Sequence, residues 1–394
     1  MNKTTNFDLL IVYSEELANS ASMKSEEINA PFPKDGNKQN YNLVYAYFLN
    51  TCRRNNLKAA FTTSADIIGP GKCRSYWLYE KNNWIKVQNE GFSKLIFAKF
   101  SPSDKNRKEK RSLLFYSKKI KPFNNQNLFS LCFDKQETYE KLKTFSIPTA
   151  AINGLTKQSI LLAKKLLNEQ IEKQKNNCDF SDEIVMKDRF GAGGLNVYKF
   201  GNNQIKEMIT LMKKHKNISF VIQPFVKFDK GFKFQNSSNP TDIRLIFLGQ
   251  KMIQTYIRIA KKGEFRCNEH AGGMLRYLSS KDISSEIKNI SKKIVSKLNN
   301  KSSLYALDFI ISNNGNIYLL EANTGPGLDW NLSVKENEME SKKLMRIIIK
   351  EMKKRVVSSK NNFRRARIVI PVVDVPLIDG FEDSQNVLIM NQTI

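Results

Sequence analysis

The stretch LYALDFIISNNGNIYLLEANTGPGLDW, residues 304–330, contains two apolar runs around Asn314-Gly315, each interrupted by one carboxylate. Asn-Gly between apolar segments is the strongest short-range hairpin signal and favours a two-residue type I′ loop. That loop places Asn313 opposite Asn316, Ile311 opposite Tyr318 and Asp308 opposite Glu321. The period of two along a strand adds Asn323 to the face of Glu321 and sends Phe309, Leu320 and Ala322 to the other side. Like charges directly opposite on a sheet are destabilising, so the pair calls for a cation. Hard oxygen ligands in small number suit Mg²⁺, which keeps several waters and takes substrate phosphates. A one-residue register slip, or two solvated carboxylates on an edge strand, would leave no metal site.

At 394 residues the chain is long enough for two or three domains, and 41% hydrophobic with 26% charged is an ordinary globular balance. No apolar run approaches a membrane span, and MNKTTNFDLLIVYSEE lacks a signal-peptide pattern, so a cytoplasmic protein is expected. Five scattered cysteines without a CxxC pair, and two histidines, exclude a zinc constellation and fit a reducing compartment. The net charge of +26 invites a nucleic-acid reading, but the excess is spread along the chain rather than held in a basic tail. An acidic small molecule or acidic peptide is the better use of that field.

FDLLIVY, LKAAFTT and KLIFAKF read as strands, YNLVYAYFLNTCRRNN as a helix and YWLYEKNNWIKV as a hairpin, giving an α/β domain over residues 1–133. Asp134 and Glu137 stand at capping-box spacing for a helix that Pro148 closes off. Further helices are expected at SILLAKKLLNEQIEKQ, NQIKEMITLMKKH and SSEIKNISKKIVSKL, among strands. From residue 336 a charged amphipathic helix leads to a polar tail with a short apolar segment, RIVIPVV.

In DEIVMKDRFGAGGLNVYKF an apolar strand delivers Lys187, a glycine-rich loop follows and a second strand begins at Val197. Such a turn can aim backbone N–H groups at phosphate oxygens while the ammonium adds charge. It is neither a Walker loop, lacking GK[ST], nor a Rossmann GxGxxG. By itself it reads more readily as a mobile surface hairpin than as a phosphate site.

The order of Lys187, the GAGG loop, QPFV, DIR, RxAxxGxFRxN and D…ExNxxPG resembles the ATP-grasp superfamily, and residues from about 134 to 334 resemble its RimK-like carboxylate–amine ligases, in the glutathione-synthetase-like group. The resemblance implies an α/β architecture: an ATP-grasp fold of two α+β subdomains gripping ATP, preceded by an α/β pre-ATP-grasp domain. The expected boundaries are 1–133, 134–226 with the glycine-rich lid, 227–335 with the metal site, and 336–394 for the C-terminal helix and tail.

By the same resemblance, Lys135 and Lys187 correspond to two ATP-phosphate lysines, and Gly191, Gly193 and Gly194 to the loop covering the phosphates. Gln223, Pro224 and Val226 lie in the hinge that reads adenine, through the Pro224 carbonyl and the Val226 N–H. Asp229 is matched to the ribose. Arg244, Arg258, Arg266 and Asn268 match polar positions around the phosphates and the acyl intermediate, with Arg258, Arg244 and Lys187 as catalytic residues. Asp308, Glu321 and Asn323 match the ligands of Mg²⁺, with Mn²⁺ as an alternative.

The chemistry implied is amide formation between the carboxylate of a small molecule or peptide and an amine, an amino acid such as glutamate, through an acylphosphate. Self-association is left open, and neither membrane nor nucleic acid is expected as a partner. Three other readings stay open: an ATP-grasp carboxylate–thiol ligase or kinase, an ATP-binding regulator without turnover, and a basic nucleic-acid-binding protein.

Overall fold

The computed structural model describes residues 4–33, 39–234, 239–330 and 334–366. The chain forms two compact units, residues 1–354 and 355–394. Of the second, only the end of the helix Lys335–Ala366 is described, and RIVIPVV lies outside the described residues.

The first unit begins with a six-stranded sheet whose centre is Leu9–Tyr13, flanked in parallel by Leu95–Lys99 and Ala59–Thr63. All five residues of Leu9–Tyr13 are buried, which is why the segment is apolar throughout rather than alternating. The hairpin Tyr76–Glu80/Asn83–Val87 extends that sheet through a two-residue loop, Lys81 and Asn82, both with positive φ. The helix Gln39–Arg54 packs against Ala59–Thr63 and Tyr76–Glu80.

Two antiparallel sheets follow. One has four strands in the order Ala150–Ala151, Phe220–Val226, Phe180–Asp188, Val197–Phe200. The helices Lys157–Glu172 and Ile205–Lys214 share its core through Ile160, Leu167, Met208 and Met212. The other has five strands in the order Met274–Leu278, Lys251–Ile259, Thr241–Leu248, Leu304–Ile311, Ile317–Asn323. Its core takes in the helix Ser285–Leu298 through Ile287, Ile294 and Val295. A smaller core of Ile147, Val226, Phe228, Ala260, Cys267, Ile310 and Tyr318 joins strands of both sheets.

The helix expected after Asp134 is Lys135–Leu142, capped by the Asp134 side chain, which accepts from the N–H groups of Gln136 and Glu137. It ends well before Pro148: Ser146 then bridges to Leu319 and the chain runs extended to Ala150.

The 304–323 hairpin departs from expectation twice. Its loop has three residues, not two: Ser312 N–H donates to the Asn316 carbonyl at 2.8 Å, Gly315 N–H to the Ser312 carbonyl at 2.9 Å, and Gly315 has φ +84°. Asn314-Gly315 serves this geometry as well as a type I′ turn, because the third loop position also needs left-handed backbone. Ile311 consequently pairs with Ile317 and Ile310 with Tyr318, one residue off the expected register. A β-bulge between Asp308 and Phe309 then takes up one extra residue, Leu320, so Asp308 does face Glu321 and Ala306 faces Asn323. Leu320 packs with the Ile310 and Tyr318 cluster instead of with Phe309.

A Cβ on Gly315 would meet nothing within 4 Å. Gly315→Ala should therefore carry only the left-handed backbone penalty, about 1 kcal/mol, read as a lower urea midpoint with unchanged slope. Gly315→Asn should lose clearly less, since Asn tolerates that conformation; equal losses would show that the loop does not hold this turn.

Candidate active site

A cleft lies between the two antiparallel sheets. Its walls bring together Lys135, Lys187, Gly191, Gly194, Gln223, Pro224, Val226, Arg266, Asn268 and Glu321, residues drawn from segments far apart in the chain. Gly193, Asp229, Arg244, Arg258, Asp308 and Asn323 are not among the lining residues.

Lys187 ends the buried part of Phe180–Asp188 and is 6% exposed. Burial, then the neighbouring charge of Lys135, pushes its ammonium down to about 8, with the Glu321 carboxylate pulling partly the other way. Two crowded cations in a half-dry cleft are the electrostatic signature of a site that takes an anion. Lys135 is aimed by its helix: its backbone N–H donates to the Arg189 carbonyl at 3.1 Å and its ammonium to the Gly191 carbonyl. Asp134, the cap of that helix, also accepts Arg189 in a bidentate pair at 2.8 and 2.7 Å. One carboxylate thus fastens the helix start to the root of the glycine-rich loop. The loop tip reaches the far wall, where a Cβ on Gly194 would stand 2.5 Å from Asn268 Oδ1; Gly193 and Gly194 both have left-handed φ.

The segment Gln223–Val226 lies along the cleft, opposite an irregularity in pairing between Phe180 and Ile184. Gln223 donates to Thr149 Oγ1 at 2.7 Å. Asp229 accepts from Asn313 at the hairpin loop, outside the cleft. Arg266 pairs with Glu264 at 2.8 Å.

Behind the cleft, Asp308 is 1% exposed and both its oxygens are taken by arginines. Arg244 Nε donates to Oδ1 at 2.6 Å and its Nη2 to Oδ2; Arg258 Nη2 donates to Oδ2 at 2.9 Å. Arg258 also binds Asp242 in a fork at 2.8 and 2.7 Å. Burial pushes the Asp308 carboxyl up, but the two guanidiniums outweigh it and hold the group below its ordinary value. The cation between Asp308 and its surroundings is therefore guanidinium, and Arg244 and Arg258 are committed to this cluster. Asp242, which lines the cleft, is the first residue of the DIR motif but carries no role in the sequence reading; its place two residues before Arg244, on the same strand face, is the signal for one.

Glu321 and Asn323 make no side-chain hydrogen bond or ion pair among the described residues. No group of three or more His, Cys, Asp or Glu able to cage a metal occurs among the described residues. A free carboxylate and amide oxygen beside a neutralised Asp308 fit Mg²⁺ bound largely through phosphates and water, as opposed to a cation held in an all-protein cage.

Residues 138–348 match the family described as the RimK-like ATP-grasp domain. Similar proteins include a probable alpha-L-glutamate ligase of Haemophilus influenzae (strain ATCC 51907 / DSM 11121 / KW20 / Rd), 27% identical over 44% of this chain and 53% of that protein. Another, of Vibrio parahaemolyticus serotype O3:K6, is 31% identical over 37% of this chain and 44% of that protein. The chain spans about half the length of the curated relatives it matches. Among solved structures, a D-cycloserine synthetase shares the fold with TM-score 0.55 at 12% identity, covering 88% of this chain and 99% of that one. A D-alanyl-alanine synthetase A from Vibrio cholerae does so with TM-score 0.51 at 14% identity, covering 89% and 99%. No helix among the described residues is long and apolar enough to cross a membrane. With more than half of its length matching and the two-sheet cleft in place behind an N-terminal α/β region, the chain belongs to the RimK-like ATP-grasp family.

Proposed function

We propose that this chain is an ATP-dependent carboxylate–amine ligase, activating a small-molecule or peptide carboxylate as an acylphosphate and passing it to an amino acid such as glutamate. The observation that carries this reading is the meeting of two lysine ammoniums and an unpartnered carboxylate under a glycine-rich loop. The names of the relatives, probable alpha-L-glutamate ligases, support glutamate as the amine.

In this reading the adenine lies along Gln223–Val226, taking the Pro224 carbonyl and the Val226 N–H, and the phosphates lie beneath Gly191–Gly194 against Lys135 and Lys187. Glu321 and Asn323 would hold Mg²⁺ or Mn²⁺, which would supply charge neutralisation on the transferring phosphoryl group. A carboxylate oxygen bonds to the γ-phosphorus as the bond to the bridging oxygen breaks and ADP leaves with the electron pair. The amine nitrogen then bonds to the acyl carbon, the carbon–oxygen bond to phosphate breaks, and the nitrogen gives up a proton to solvent. The lysines stabilise charge on the phosphoryl oxygens, and the loop keeps water from the acylphosphate. Arg244 and Arg258 act as positioning residues that hold Asp308.

Glu321→Gln should cut amine-dependent phosphate release at least about a hundredfold, the scale of losing one charge-stabilising group, while the thermal midpoint stays near wild type. Asp308→Asn should behave differently: it strands two buried guanidiniums and should lower stability by about 3 to 5 kcal/mol in denaturant titrations. Near-normal turnover in Glu321→Gln, with a suitable carboxylate and amine, would falsify the site assignment.

Lys187 gives a pH test. Its pKa in the folded chain is about 8 against 10.5 ordinarily, so it loses its proton as pH rises through 8. Bound phosphates favour the protonated form; ATP binding near pH 8 to 9 should take up a proton and weaken as pH rises. Calorimetry in two buffers of different ionisation heat reads this uptake, and Lys187→Met should abolish it. Without nucleotide the trend reverses: between about 8 and 10.5 the unfolded chain binds the proton more strongly, so stability rises with pH.

A further inference from the structure

A second pocket, of about 740 Å³, lies outside the cleft, walled by Lys108, Arg111, Phe115, Gln126, Phe129 and Phe133 among others. Its size suits a small molecule. Arg111 is 8% exposed yet makes no ion pair among the described residues. Its guanidinium meets two neutral acceptors, the Phe100 carbonyl at 3.1 Å and Gln126 Oε1 at 3.1 Å, and lies 3.6 Å from the centroid of the Phe129 ring. A guanidinium has five N–H donors, so several stay unmatched. Gln126 Nε2, fully buried behind the pocket wall, has no hydrogen-bond partner among the described residues. Lys108 adds an exposed ammonium at the same pocket.

A buried charge without a counter-ion costs free energy, and so does a buried amide donor without an acceptor. The first penalty is relieved by an anion, and the aromatic wall asks for an apolar body attached to it. We propose that this pocket binds a small aromatic or apolar carboxylate, its oxygens taking the free donors of Arg111, with Lys108 beside them, and its body lying against the phenylalanine wall.

The pocket also touches the loop of the active site. Phe129 stacks on Phe133 at 5.7 Å between centroids, and Phe133 on Phe190 at 5.2 Å, next to Arg189 in the glycine-rich segment. Asp134, the clasp of Arg189, lines the same pocket. A ligand that fixes Phe129 and Phe133 therefore steadies the root of the loop, whatever reaction the cleft performs.

N-acetylphenylalanine is a suitable probe and its primary amide the neutral control, titrated into the full chain by calorimetry without nucleotide. The acid should bind at least about tenfold more tightly than the amide, the scale of a charge-assisted hydrogen-bond pair. Arg111→Met should lose about that factor and Lys108→Met several-fold. Lys108 is exposed, so the second variant carries the test if the first fails to fold. Trypsin cleavage after Arg189, followed by fragment mass, should slow when the acid is bound. Undetectable binding of the acid, equal binding of acid and amide, or unchanged binding in Lys108→Met and folded Arg111→Met would overturn the site. Binding without slower cleavage at Arg189 would overturn its link to the loop. None of these readouts needs turnover, so the ligase reading and this one fail separately.

Discussion

Asp308 sits between two guanidiniums, and the geometry of the five-stranded sheet follows from that. Asp242, Arg244, Arg258 and Asp308 lie on three adjacent strands, with Asp242 paired across to Arg258 and Arg244 to Asp308. Removing such charges from water costs several kcal/mol per ion, and attraction offsets that only when the forks are well aligned. A one-residue slip of any of these strands would break the alignment and turn apolar side chains outward as well. The cluster and the hydrophobic pattern therefore oppose the same slip and fix the register together. It also offsets the charge of Asp308, and Glu321 stays available on the cleft side.

Asp134 is a second junction of this kind. Its oxygens accept from Gln136 N–H at 2.9 Å and from Arg189, joining a helix end to a loop some fifty residues further along. Lys135 and Gly191 are brought together by this junction, which explains why two lysines of distant sequence crowd the same cleft wall.

Much of this was legible in the sequence, and the exceptions have physical causes. Asp308 faces Glu321 as the alternation predicts, although the loop has three residues in place of two and a bulge cancels the shift. Asn-Gly suits both turns, so the local pattern could not choose between them. The two-residue positive-φ loop occurs instead at Lys81-Asn82, where no glycine announced it. Lys135, Lys187, the glycine loop and the hinge fall in one cleft as the motif order implied. Arg244 and Arg258 do not line it, because their partners are chosen by cross-strand neighbours up to 64 residues away, which periodicity does not record. Asp229 turns to Asn313 because the chain after the hinge passes the hairpin loop.

The Asp134–Arg189 pair has a kinetic consequence. A loop pinned at its root by a bidentate pair swings from its tip, and the left-handed residues Gly193 and Gly194 are where the backbone bends most freely. Opening at the tip would part Gly194 from Asn268 and leave the helix cap at Asp134 intact. Such an opening would be a motion of a few residues, on the nanosecond-to-microsecond scale of loops.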